Sequence, residues 1–417
     1  MQEPLVNPFN ASWLADFSFK SLPEGFVDDP YSVYAALRNH RPVCWMDERT
    51  VFLTRYRDVV SMYRTPAASS DKTIEFGQKF GTTTPLFQHH TSSLVFNDPP
   101  LHTRVRKLLM GAMNTRTLAA MQEPLKRLVS QLIDKLIDGS EHDLIREFAA
   151  PIPIEVIGNL LAIPASLREP LRQWSLDILS VLEPQPRQEV LERGNQSVTE
   201  FSRFLGDLIS ERRKKPGDPE SDLLSKLILG EIEGQKLSEF ELIHQCIFLL
   251  NAGHETTTNL IGNGVVTLLS HRHQWDMLCK DQSLVPAAVE ECLRFESPLQ
   301  LNNRMLSEPV ALDPVGAEHR DSILPAGTFV TLGIGAANRD PEVFPDPDRF
   351  DIRRKPNYQL AFGHGPHACA GMNVARFEAR IAFEALCERL PKLSLAGQPD
   401  RDPRVRFRGF RSVRVTC

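Results

Sequence analysis

A chain of 417 residues with 24% charged and 41% hydrophobic side chains has the composition of a globular protein, which excludes a disordered or collagenous one. Its net charge of −5, from 48 Lys and Arg against 53 Asp and Glu, offers no basic surplus to nucleic acid or an anionic lipid surface. Seven scattered cysteines without a C-x-x-C pair exclude a disulfide framework and point to a reducing cytoplasm. Length alone suggests two or three domains at about 100–200 residues each.

The N-terminal stretch has neither the basic region nor the apolar core of a signal peptide, and no run approaches the roughly 20 apolar residues of a membrane span. A helix is expected at 29–39 and a strand at 50–56, both cut by Pro-rich turns. Residues 66–96 are polar and weakly periodic, and read as a long loop with one short helix. From Pro99 to Gln282 apolar residues recur at helical spacing, through 118–136, 153–161, 167–182 and 198–212. Ser238, followed by Glu241, has the form of a capping box and opens a nearly unbroken helical run to about Ser270. So long and apolar a helix is expected at the centre of the molecule. A helix follows at 285–295, then strand signals at 304–306, 310–312 and 329–335, an irregular Pro-, Asp- and Arg-rich stretch, a last long helix at 370–390 and a strand-rich tail. The class is mainly α with a minor β component.

Chemistry concentrates at Phe362-Gly-His-Gly-Pro-His-Ala-Cys-Ala-Gly371. Cys369 stands between a Gly-rich loop and a helix start, where backbone N–H groups favour a thiolate or a metal-ligating sulfur. Gly363, Gly365 and Gly371 let the backbone turn sharply and lie close to a flat partner. A small buried cysteine at a helix start is the plain alternative.

The spacing F-x-x-G-x-H-x-C-x-G resembles the haem-binding loop of the cytochrome P-450 monooxygenases. The resemblance makes Cys369 the axial thiolate of a haem b iron, with Phe362 packed on the ring and His367 reaching a propionate. Four further segments follow the family's order. Glu291 and Arg294 look like its E-x-x-R pair, with Arg349 or, second, Arg339 as third partner; an ordinary surface ion pair is the alternative. Ala252-Gly-His-Glu-Thr256 resembles its oxygen-activation motif, in which Glu255 relays protons and Thr256 bonds the distal oxygen, unless it is only a solvated polar turn. Asn97–Arg106 looks like the segment beside the haem, placing His102 and Arg106 on one helical face as propionate partners, and Arg304 falls where the family often has another.

By resemblance the fold is that of the P-450 family, with haem between the long central helix and the cysteine-loop helix and residues 1–417 forming one catalytic domain without a fused reductase or ferredoxin. The implied activity is monooxygenation of a small to medium hydrophobic substrate with O2 and two electrons from a ferredoxin or flavodoxin and its NAD(P)H-dependent reductase. A peroxide-driven peroxygenase and a non-catalytic haem sensor or carrier are the competing readings. Substrate contacts are expected from Phe248, Asn251, Ala252, Leu299–Asn303 (Asn302 among them) and Phe410, with Phe76, Phe80 and Phe87 from the 66–96 segment. Arg104 and Lys107 are candidates for a basic docking patch.

Overall fold

The Ser238 hydroxyl accepts the Glu241 N–H at 3.1 Å, while the Glu241 carboxylate accepts the Ser238 N–H at 2.8 Å. This capping box starts a helix of 32 residues, Glu239–Ser270, about 48 Å long. Most of its side chains are buried on all sides, so it runs through the core as its pattern requires. Helices Pro151–Leu160, Leu171–Ser180, Gln188–Lys214, Val285–Phe295 and Met372–Arg389 pack around it. A Cβ at Gly264 would come within 2.5 Å of the Phe383 ring, so glycine is what lets Met372–Arg389 approach so closely.

This computed structural model describes residues 12–113, 115–219, 222–232, 235–312 and 323–417. Part of the N-terminal stretch on which the signal-peptide reading rests lies outside them. Among the described residues no helix is long and apolar enough to cross a membrane.

Beside the helices lies a five-stranded sheet in the order Val43–Trp45, Thr50–Leu53, Phe329–Gly333, Leu301–Leu306, Ala68–Ser69. Phe329–Gly333 pairs parallel to Thr50–Leu53 and antiparallel to Leu301–Leu306. Side chains alternate along Leu301–Leu306, so Asn302 and Arg304 share one face while Leu301 and Asn303 share the other. The mainly helical class with a minor sheet agrees with the sequence.

The 66–96 segment does not. It folds into two helices, Thr73–Phe80 and Pro85–Ser92, and a short turn of 3-10 helix at Leu94–Phe96. Each helix has only eight residues, too few for periodicity to register; the second starts at Pro85 with the Thr84 hydroxyl capping the Phe87 N–H.

Candidate active site

The cysteine loop is shaped by two glycines with positive φ, Gly363 at +66° and Gly365 at +70°. The Cys369 N–H donates to the Phe362 carbonyl at 2.8 Å, and the Leu360 N–H donates to Asn338 Oδ1 at 2.7 Å, fixing the loop at both ends. Gly371 then caps helix Met372–Arg389. Burial pushes the Cys369 thiol up, opposed by the Gly371 N–H and by Arg106 and Arg376. A Cβ at Gly365 would press into the Tyr63 carbonyl, on top of the roughly 1–2 kcal/mol that a left-handed backbone costs other residues. Gly365→Ala is therefore expected to give protein that retains little haem, read as haem absorbance per mole of purified chain.

A cavity of about 290 Å³ is lined both by this loop and by the middle of the central helix, which presents Ala252, Gly253, Thr256 and Thr257. The Thr256 hydroxyl donates to the Ala252 carbonyl at 2.9 Å, the i−4 bond that loosens a helix ladder. Glu255 does not line the cavity. It is buried on the adjoining face, where Arg404 Nη2 pairs with Oε1 at 2.5 Å and Asn259 Nδ2 donates to the same oxygen at 3.2 Å.

Cations gather at one edge. His102, Arg106 and His367 line the cavity, and the two imidazoles stack with centroids 3.9 Å apart. Burial, then Arg106, lowers His102; burial, then His102 and Arg304, takes His367 down to about 3. Arg304 lies behind the wall, donating to the Asn303 carbonyl at 2.8 Å with its guanidinium carbon 5.3 Å from the centre of the Tyr63 ring. Among the described residues neither Arg106 nor Arg304 has a carboxylate partner, and His102 Nε2 is buried with no hydrogen bond. Two unpaired arginines and an orphaned imidazole nitrogen, at the edge of a cavity that also opens on a thiol, fit a planar group carrying acidic side arms. Haem with its two propionates is such a group. Phe362, Gly363, Ala252 and Gly371 line the same cavity, and Arg376, paired with Glu290, lies 4.6 Å from the centre of the Phe362 ring.

Glu291 and Arg294 are fully buried and joined by two hydrogen bonds of 2.8 Å. Arg294 also donates to the carbonyls of Asn338, Pro347 and Arg349. The third side chain is neither of those expected. Arg354 Nε reaches Glu291 Oε1 at 3.2 Å, joined by Asn357 Nδ2 on Oε2 at 3.2 Å. Arg349 contributes only its carbonyl, because its guanidinium points to solvent near Asp351, and Arg339 instead pairs with Asp348 and stacks on Phe295. The network thus ties helix Val285–Phe295 to the irregular segment that leads into the cysteine loop.

Phe248, Asn251, Leu299 and Asn302 line the cavity as expected, together with Leu179, Leu182, His89, His90 and Phe96. Phe410 does not: it is buried under Arg401, and Phe407 takes the cavity position. Phe76 and Phe80 pack on His90 in the core behind the wall, as partners of a lining residue, and Phe87 is likewise packed against the core. Arg104 forms an ion pair with Glu241 and is partly exposed; Lys107 is exposed.

Three tail arginines were invisible to the sequence reading. Arg404 holds Glu255, Arg406 lines the cavity, and Arg408 pairs with Glu296 at 2.6 Å. The only local signal is their i, i+2, i+4 spacing, which by itself reads as the solvated face of a strand.

A sequence model of the cytochrome P450 family matches residues 42–410. Cytochrome P450 107B1 of Saccharopolyspora erythraea is 38% identical over 396 residues, covering 92% of this chain and 93% of its own. The cytochrome P450 monooxygenase PikC of Streptomyces venezuelae is 36% identical over 406 residues, 95% of this chain and 92% of that one. Among solved structures, P450BioI in complex with an acyl carrier protein ligated to hexadec-9Z-enoic acid superposes with a TM-score of 0.87 at 33% identity, covering 95% of this chain and 100% of that one. With the cysteine loop and Thr256 lining one cavity, the chain belongs to the cytochrome P450 family and is an oxidoreductase of its monooxygenase class.

Proposed function

We propose that residues 1–417 act as one catalytic unit, inserting one atom of O2 into a hydrophobic organic substrate bound beside Thr256. The observation that carries this is that Cys369 and the hydrogen-bonded Thr256–Ala252 pair line one mostly apolar cavity. The balance is R–H plus O2, two electrons and two protons giving R–OH and water. Haem b, ligated by Cys369 and held at its propionates by His102, Arg106, His367 and Arg304, supplies the iron that activates oxygen.

The chain supplies the rest. Leu179, Leu182, Phe248 and Phe407 exclude water and hold the substrate's apolar body. Thr256 Oγ1, on the cavity wall, gives its single hydrogen to the Ala252 carbonyl and so presents its lone pairs as an acceptor that orients a proton-bearing partner beside it. Glu255 stands one residue away, paired with Arg404, as the group through which protons are relayed. Electrons come from a separate ferredoxin or flavodoxin and its NAD(P)H-dependent reductase, in the cytoplasm. The fatty acyl chain named with P450BioI supports a hydrophobic substrate class.

Purified holoenzyme with a surrogate ferredoxin and reductase should consume O2 only when a substrate is present, and heavy-oxygen O2 should put one labelled atom into the product. Label arriving from water, or turnover without O2, would contradict the proposal.

A further inference from the structure

Among the described residues, Arg406 is the one arginine of the cavity wall apart from the propionate candidate Arg106. Its guanidinium is fixed on three acceptors, with Nε on the Leu182 carbonyl at 2.9 Å, Nη1 on the Leu301 carbonyl at 3.3 Å and Nη2 on Asn303 Oδ1 at 2.6 Å. These leave two of its five N–H groups without an acceptor. All three acceptors are neutral. Among the described residues the Arg406 guanidinium touches no carboxylate: Glu183 lies nearby, but its oxygens accept the backbone N–H groups of Val405, Arg406 and Phe407.

The charge around it does not close. Lys72 pairs with Glu75 at 2.9 Å. Lys79 has no carboxylate either, donating instead to the Glu183 carbonyl at 2.6 Å; burial, then Arg406, draws its ammonium down to about 8. Three cations, Lys72, Lys79 and Arg406, thus stand against two carboxylates, Glu75 and Glu183, with Lys72 buried and the other four partly buried. His89 and His90 beside them are neutral, because burial takes both imidazoles down, His90 to about 3. A cation drawn partly out of water without an anion is destabilised, and an anionic partner relieves that cost.

Haem is not the missing anion. Asn303, which holds Arg406, lies on the face of strand Leu301–Leu306 opposite Arg304 and Asn302. The propionate candidates Arg106, His102 and His367 form a separate group around the stacked imidazoles.

We infer that Arg406 is the carboxylate anchor of the substrate site, and that the substrate is a predominantly apolar monocarboxylic acid. Its carboxylate takes the two open guanidinium N–H groups and closes the local charge. Its apolar body lies along Leu179, Leu182, Phe248 and Phe407 toward Thr256. This rests on the monooxygenase reading and names the substrate class of the same site.

The test is a titration of holoenzyme with dodecanoic acid, dodecanol and methyl dodecanoate, followed by the substrate-induced shift of the haem Soret band and by calorimetry. The acid is expected to bind roughly ten- to hundredfold tighter than the alcohol or the ester, the weight of a charge-assisted hydrogen bond. Arg406→Gln should remove that preference while leaving alcohol affinity unchanged, and Arg406→Lys should restore part of it. Equal binding of acid and alcohol by the wild type, or no binding of the acid, overturns the inference. So does Arg406→Gln weakening both ligands alike, or losing haem while the haem-loaded fraction keeps its acid preference. A thiolate-type carbon monoxide spectrum without acid preference sinks this inference alone; absence of that spectrum sinks the monooxygenase reading beneath it.

Discussion

Arg294→Ala is expected to yield almost no haem-loaded protein. The guanidinium satisfies both oxygens of a fully buried carboxylate and three backbone carbonyls, so truncation leaves Glu291 charged in the core with Arg354, Asn357 and the Asp351 N–H. Breaking a buried pair from one side costs about 3–5 kcal/mol, against a total stability of about 5–15 kcal/mol. Glu291→Ala should be comparably severe, because it strands Arg294. Arg354→Met should be milder, since Glu291 keeps Arg294, and Arg349→Met should fall within about 0.5 kcal/mol of wild type, as its side chain is a surface group. Thermal unfolding and haem content per chain give the order. Arg349→Met proving as damaging as Arg354→Met would contradict the assignment of the third partner.

The second large effect belongs to Thr256. Removing its hydroxyl in Thr256→Ala leaves the cavity wall without the group bonded to the Ala252 carbonyl, so protons reach bound oxygen without direction. Reducing equivalents should still be consumed while product per NAD(P)H falls on the order of tenfold to a hundredfold, the low end for a positioned proton donor, with free peroxide making up the difference. Peroxide-driven turnover separates the alternatives. A peroxygenase supplied with peroxide keeps its rate in Thr256→Ala and shows no new leak, and that result would replace the monooxygenase account.

Legibility followed the range of each interaction. The Cys369 loop and the Ser238–Glu241 capping box each depend on residues within ten positions of each other, so a short motif carries the first by resemblance and local spacing carries the second. Arg354 and Glu291 are 63 positions apart, and Arg404 and Glu255 are 149 apart. Both were missed, because an isolated arginine reads as a surface charge until its partner is placed. Phe410 was favoured over Phe407 for a different reason. The register shift between Asp400 and Arg401 and the isolated bridge between Leu299 and Phe407 decide which tail aromatic faces the cavity, and no local pattern encodes them. The helices of 66–96 were lost to their shortness. The excess of positive charge at Arg406 required the positions of five side chains from three separate stretches of chain.

Residues from Tyr63 to Phe407 line the same cavity, which supports the proposal of one catalytic unit in place of the two or three domains suggested by length. Everything proposed for that cavity depends on Cys369 as iron ligand. The carbon monoxide difference spectrum of the reduced protein tests it most directly: wild type should show the red-shifted Soret band of thiolate-ligated haem, and Cys369→Ser should lose it. A wild-type spectrum of the neutral-ligand kind, or a Cys369→Ser spectrum unchanged from wild type, would contradict the account.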